Sequence, residues 1–303
     1  MVQSGGGAHD VSASALKFQI GARTLAEIPR RLRRIALSLD QALAGAPPLL
    51  PPLDADDDGY LVTSLPAEAA LPWRGVAFVR QHYTRYYVDL AAGEDAWRAG
   101  LSGQARATLR RKTRKLAEAN GGRLDVRSYR APAELAAFHP FARAVSATTY
   151  QERLMQSGLP ADPAHGDALA AADGVRAWLL FLRDTPIAYL WCGGDGDTLR
   201  YDHVGHDPAY GALSPGNVLL GAALESLFGD RFRRFDFTEG EGQHKRALAS
   251  GGVACRDLLL LRPTLTNRAS VAAVGGFDAA LRVAARAART PALAGIARRI
   301  RRA

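Results

Sequence analysis

The run Leu199-Arg200-Tyr201-Asp202-His203-Val204 alternates polar with apolar or aromatic residues, as a half-buried strand does. Gly205 to Gly211 follows as a turn, and Ala212-Leu213-Ser214-Pro215-Gly216-Asn217-Val218-Leu219-Leu220 opens a helix. Ser214 suits the N-cap, Pro215 the first helical position, and Gly229 the close of a helix ending at Phe228. A strand that feeds a helix through a glycine-bearing turn aims backbone N–H groups at one point, where the helix dipole adds partial positive charge. That arrangement is a pocket for an anion such as a pyrophosphate.

Working upstream, the pattern before this run is a meander. Val175–Arg183 and Ile187–Cys192 are apolar runs separated by Asp184-Thr185-Pro186, and Gly193 to Asp197 turns the chain into Thr198–Val204. Three strands joined by short turns predict antiparallel pairing. Downstream, Phe232–Thr238 reads as a fourth strand, and Gly240 to Arg246 as a polar loop entering a helix or turn. Asp257–Arg262 reads as a last apolar strand.

Earlier in the chain, Leu16–Ile20 reads as a short strand and residues 24–44 as an amphipathic helix interrupted at Pro29. Pro47–Pro52 is a linker. Asp54, Asp56, Asp58 and Gly59 have the spacing that opens a calcium loop, but position twelve is Leu65, where a bidentate Glu is required, so an acidic surface turn is expected. Phe78–Leu90 reads as one or two strands. Ser102 caps a helix ending at Gly121-Gly122 that carries Arg106, Arg110, Arg111, Lys112, Arg114 and Lys115. No aromatic residues interleave with these charges, so nucleic-acid stacking is not expected. Leu124–Tyr129 is a strand, and Ala131–Tyr150 and Gly166–Ala172 are helices, the first with a break at Pro140.

The chain has 303 residues, 48% of them hydrophobic, and a formal charge of +9. This is enough for one large or two smaller cored domains. The basic balance allows anionic partners. No apolar run reaches membrane-span length. The first ten residues lack a basic-then-apolar signal, so the cytoplasm is expected. Cys192 and Cys255 sit in apolar contexts without metal-ligand spacing, and no metal site is expected.

Ser214 admits one competing reading, as the nucleophile of a hydrolase elbow. Pro215 opposes it, because that motif needs the backbone N–H of the residue after the nucleophile.

The order of elements resembles the acyl-CoA N-acyltransferase (GNAT) superfamily. Several residue runs are similar to its BioF2-like or CelD-like branch, which is related to the Fem-type aminoacyl ligases. They are Tyr87-Val88-Asp89-Leu90, the basic helix around Thr108 to Lys112, His206-Asp207-Pro208-Ala209-Tyr210 through Ser214-Pro215-Gly216, Phe235-Asp236-Phe237 with Gly240, and His244-Lys245-Arg246. The relatives carry Tyr-Lys where this chain has His244-Lys245.

The resemblance covers residues 85–262 and implies an α/β fold with a mixed, largely antiparallel central sheet flanked by helices. Residues 1–14 are then a disordered start, 15–84 a strand–helix extension or reduced first GNAT unit, and 263–303 a basic helical tail. The implied donor is acetyl-CoA or another acyl-CoA, its pyrophosphate held by backbone amides of Leu213, Ser214, Gly216 and Asn217. Its pantetheine arm would enter between the strands at 198–204 and 232–238.

N-acyl transfer needs a base, an oxyanion donor and an acid. Lys245 is the candidate for positive charge, and Asp202, His203, Glu239 and His244 are the candidate bases. Tyr150, Gln151 and Arg110 are candidates for the acceptor side. The implied acceptor is a small-molecule or glycan amine in polysaccharide or envelope biosynthesis. Residues 266–303 are a candidate peripheral contact with the inner membrane. Two other readings remain open: an aminoacyl-tRNA-dependent Fem-like ligase, and a non-catalytic binding module.

Overall fold

The computed structural model describes residues 11–20, 23–149, 152, 158–240 and 242–288. The chain forms two compact units. One gathers residues 38–43 and 83–254, and the other 1–37, 44–82 and 255–303. This division differs from the sequence boundaries at 84 and 262. The strand read at 257–262 and the tail after it belong with the N-terminal segments.

The unit around residues 83–254 is built on strands β4 (Val76–Asp89, from Tyr83 onward), β5 (Asp125–Tyr129), β6 (Val175–Leu182), β7 (Thr185–Asp195), β8 (Thr198–His206) and β9 (Arg234–Asp236). Their order is β4-β9-β8-β7-β6-β5. Every pairing is antiparallel except β8–β9, which is parallel. The mixed, mostly antiparallel sheet expected from the sequence is present, and its meander extends back to β5.

Alternation along β6 explains why the sheet is covered on both faces. Trp178 and Leu180 enter one core with Leu116, Val218, Leu219 and Ala223, while Ala177, Leu179 and Phe181 enter a second with Phe138, Ala142 and Tyr189. The first core is roofed by α3 (Gly103–Ala119) and α6 (Pro215–Leu227). The second is roofed by α4 (Pro132–Thr148) and α5 (Asp167–Ala171). Helices α1 (Leu39–Ala44) and α2 (Glu94–Gly100) precede α3 in the chain, and α7 (Gln243–Leu248) follows β9.

Ser102 caps α3 as read, its Oγ accepting from Ala105 N–H at 3.1 Å. Helix α4 does not break at Pro140, because Phe138, Ala142 and Val145 anchor it on both sides of the proline.

Asp173 ties this unit's edge together. Its carboxylate accepts from Arg130, Arg176 Nη1 lies 3.0 Å away, and Arg231 Nε lies 3.6 Å away. Hydrogen bonding from Arg130 holds its pKa well below the usual carboxylate range. A depressed native pKa stabilises above the unfolded value and loses that contribution as pH falls through the native one. Unfolding free energy is therefore expected to drop as pH is lowered below about 4. Asp173→Asn should flatten that limb at a neutral-pH cost of about 1 kcal/mol, since the group is two-fifths exposed. Urea titrations across pH check both.

The second unit is built on β1 (Val11–Ile20), β2 (Arg23–Ala36), β3 (Gly59–Pro66) and β10 (Gly251–Leu261, from Cys255 onward), in the order β1-β2-β3-β10. The helix read at 24–44 is corrected here: β2 occupies its first part and only Leu39–Ala44 is helical. Ile28, Leu32 and Ile35 fit a helical period, but Pro29 cannot sit mid-helix without loss. Pairing with β1, and in parallel with β3 from Leu32 on, satisfies the backbone instead.

The acidic turn is also not wholly at the surface. Asp57 is buried and pairs with Arg33 Nε at 2.6 Å. The tail forms α8 (Leu265–Ala288), which lays Val271, Val274 and Phe277 against β1, Phe18 meeting Phe277 at 5.4 Å. That face is covered within this unit. Residues 1–10 and 289–303 lie outside the described residues. Among the described residues, no helix is long and apolar enough to cross a membrane.

Candidate active site

The parallel pair sets the site. Strand β8 pairs with β9 only through Thr198↔Arg234, Leu199↔Phe235 and Arg200↔Asp236. Beyond that point β9 ends while β8 runs on to His206, so a wedge opens from Tyr201 onward. On its other edge β8 carries a bulge. Trp191 pairs with His203 and Cys192 with Tyr201, which leaves Asp202 as the extra residue. A bulge bends the strand and frees a ladder group, and such irregularities re-aim side chains beside active sites.

Asp236 at the wedge's apex is fully buried and held bidentately by Arg85, with Nε–Oδ1 at 3.1 Å and Nη2–Oδ2 at 2.5 Å. Its Oδ1 also accepts from Thr238 N–H at 2.8 Å. Thr238 has φ +59°, so the carboxylate fixes a left-handed kink just past β9, where Thr238 Oγ1 still donates to Tyr201 O of β8 at 3.4 Å. Neither Arg85 nor Thr238 was singled out in the sequence. The available signal was Phe235-Asp236-Phe237, a carboxylate forced into a core by its neighbours, which requires a buried cation.

Lys245 completes this brace. It is buried, not a surface lysine, and its Nζ donates to Phe237 O and Glu239 O, both at 2.8 Å. Burial lowers its pKa, and Asp236 and Glu239 oppose that shift. Two of its three donors are engaged with the strand end.

The five catalytic candidates divide between the sheet's two faces. On the α3/α6 side, Tyr201 packs on Phe235 and Phe237 and lies 6.4 Å from the His244 ring. Burial raises the Tyr201 phenol pKa and lowers that of His244, with Lys245 and Lys112 adding to the latter.

On the α4 side, His203 packs with Trp191 and His165 at 5.5 and 5.3 Å. Burial, then His165, pulls its pKa down to about 4. Asp202 accepts from Gly193 N–H at 3.1 Å and pairs with Arg200 Nη2 at 2.7 Å. Burial raises its pKa against the pull of Arg200. Glu239 sits at the rim, its carbonyl held by Lys245. No single cluster holds all five: the bulge leaves Asp202 and His203 on the same face, while Glu239, His244 and Lys245 follow β9.

A cavity of about 510 Å³ lies on the α3/α6 side. Its walls include Gln104, Thr108 and Lys112 from α3, Asn217 from α6, and Gln243 and His244 from α7. Close packing of α3 on α6 is possible at Gly221, where a Cβ would lie 2.7 Å from Leu109.

The start of α6 differs from its reading. A 3₁₀ turn, Pro208–Leu213, precedes it, capped by Asp207, and Lys115 Nζ donates to Ala212 O at 3.0 Å. Ser214 has φ +54° and makes no side-chain cap. Its N–H donates to Gly211 O at 3.0 Å, and Asn217 N–H donates to Ser214 O at 3.1 Å. Leu213 closes the 3₁₀ turn. Of the four amides proposed for an anion, Gly216 keeps the unsatisfied geometry of a first helical turn, and Asn217 contributes as a cavity-lining residue. Pro215 at the first helical position is as read.

Arg110 is exposed on α3 and is not a cavity residue; Lys112 occupies that place. Tyr150 and Gln151 lie outside the described residues. Among the described residues, no group of three or more His, Cys, Asp or Glu is placed to hold a metal. Cys192 and Cys255 are buried thiols.

Residues 103–246 match the family model of the acetyltransferase (GNAT) domain. This segment is a GNAT domain.

Solved structures of similar fold include the C-terminal domain (DUF2156) assigned to a lysylphosphatidylglycerol synthetase from Agrobacterium fabrum. It shows 13% identity over 72% of this chain and 71% of that chain, with TM-score 0.49. FemX shows 9% identity over 83% and 88%, with TM-score 0.45. A GCN5-related N-acetyltransferase from Kribbella flavida shows 13% identity over 70% and 72%, with TM-score 0.37. No curated protein sequence matches the chain significantly. The GNAT domain lies wholly within the unit that carries the wedge and the cavity.

Proposed function

We propose that the GNAT domain transfers an acyl group from acetyl-CoA or another acyl-CoA to an amine. The observation that carries this is the wedge beyond Arg200↔Asp236, with the cavity of Lys112, Asn217 and His244 on one face and Asp202 on the other. A thioester donor fits the cavity side. Its pyrophosphate has Gly216 N–H, the α6 dipole and Lys112 as partners. CoA would supply the activated carbonyl.

The acceptor amine approaches from the α4 side. Asp202 takes its proton, and Tyr201, kept protonated by burial, protonates the leaving thiolate. A backbone N–H of β8 left without a β9 partner beyond Arg200 donates to the oxyanion. As the sequence resemblance implies, we place the acceptor among amino sugars and cell-envelope precursors.

Thiol release from acetyl-CoA across an amine panel tests the reaction. Release dependent on one class of amine supports it. Transfer of an aminoacyl group from charged tRNA, with no thiol release, would replace it with the Fem-type reading. Lys112→Ala is expected to weaken CoA binding about tenfold by calorimetry, the worth of one charge-assisted contact, while kcat at saturating donor holds.

A further inference from the structure

The unit outside the GNAT domain carries its own groove of about 400 Å³, formed around Leu53, Tyr60, Trp73, Arg74, Gly75 and Arg262. Tyr60 and Trp73 meet edge to face, their centroids 5.6 Å apart. Both polar ends are already engaged: the phenol donates to Pro51 O, and the indole N–H donates to Leu261 O at 3.0 Å. Tyr60 is buried, so Trp73 is the ring that offers a carbon face, and neither ring offers a hydrogen bond. Gly75 makes room for this, since a Cβ there would lie 2.5 Å from Trp73 Nε1.

The polar contacts left for a ligand are guanidinium groups. Arg262 donates through Nε to Asp57 O at 2.8 Å and through Nη2 to Asp54 O at 2.7 Å, and its Nη1 has no hydrogen bond among the described residues. Arg74 is exposed, and has neither ion pair nor hydrogen bond among the described residues. The neighbouring carboxylates have other partners. Arg33 pairs with Asp54 and Asp57, Arg31 Nη1 lies 3.6 Å from Asp56, and Asp58 accepts from Arg31 N–H at 3.0 Å.

We propose that this groove binds an organic anion that lays a ring on Trp73, which the buried Tyr60 backs, and its carboxylate or phosphate on Arg74 and Arg262. A planar guanidinium suits either anion and also stacks on aromatic faces. An anion without a ring would leave the carbon face of Trp73 wet, and a neutral ring would leave Arg74 without a partner, so both halves are needed. The site involves no residue of the acyl-transfer reading and does not depend on it.

The test is a titration of the full chain followed through the indole N–H cross-peaks of its four tryptophans. Trp73→Phe assigns the reporter. Benzoate, glucuronate and glucose 6-phosphate are the probes, with glucose and inorganic phosphate as controls. The expected result is saturable movement of the Trp73 peak with at least one organic anion. Which probe responds tells whether the ring is aromatic or a sugar, and whether the anion is a carboxylate or a phosphate.

Arg74→Glu should weaken that response about tenfold or more and leave CoA binding unchanged. Arg74→Gln, which removes charge without reversing it, gives the same test should the Glu variant disturb the loop. The proposal is overturned if no probe moves Trp73, if glucose or phosphate alone does as well, or if neither Arg74 variant changes the response.

Discussion

Asp236→Asn is expected to destabilise the GNAT unit by about 3–5 kcal/mol, the usual cost of removing one partner from a buried ion pair. Asp236 is fully buried and Arg85 nearly so, and the two share a bidentate bond. The amide would take the Asp236 charge away from a guanidinium buried in the core. Urea denaturation at neutral pH measures the loss. The double variant Arg85→Met, Asp236→Leu should recover most of it, because the pair's desolvation cost disappears with its attraction. A loss below about 1 kcal/mol for the single variant would mean that water reaches the pair. The double variant is expected to fold yet turn over poorly, since nothing then fixes the Thr238 kink at the end of β9.

Asp202→Asn is expected to lower kcat/KM for acyl transfer by about 10²–10⁴-fold, the range for losing a positioned general base. Its fold should be unaffected, because the amide oxygen still accepts from Gly193 N–H. The pH profile separates base from bystander. Burial raises the Asp202 pKa while Arg200 opposes it. A base must be deprotonated, so activity should fall as pH drops through a value above the ordinary carboxylate range. Arg200→Ala removes the opposing cation and should move that acid limb to higher pH. An unmoved limb, or an Asp202→Asn variant of full activity, would transfer the role to Glu239 at the wedge's rim.

Much of this site could be read from residue order. The strand at 198–204, Pro215 at a helix start, the Ser102 cap and the meander before them follow from local chemistry: alternation, a fixed φ, a side-chain acceptor and short turns. The β2 strand could not be read that way. Ile28, Leu32 and Ile35 satisfy two periods at once, and pairing with β1 and β3, remote in sequence, decides between them. The same holds for Lys245. A lysine after a glycine-rich loop looks like surface or catalyst until the tertiary structure brings two backbone carbonyls to its ammonium.

By itself, the sequence determined a strand at 198–204, a meander before it and a helix start at Pro215, because strand alternation, short turns and helix capping are local properties. Only the tertiary structure decided how the amides at that helix start are bonded, which face of the sheet each candidate base occupies, and that Arg85, Asp236 and Lys245 brace the end of β9. Those facts depend on the bulge at Asp202, the early end of β9 and a burial that joins residues 151 positions apart. No local pattern carries such a pairing.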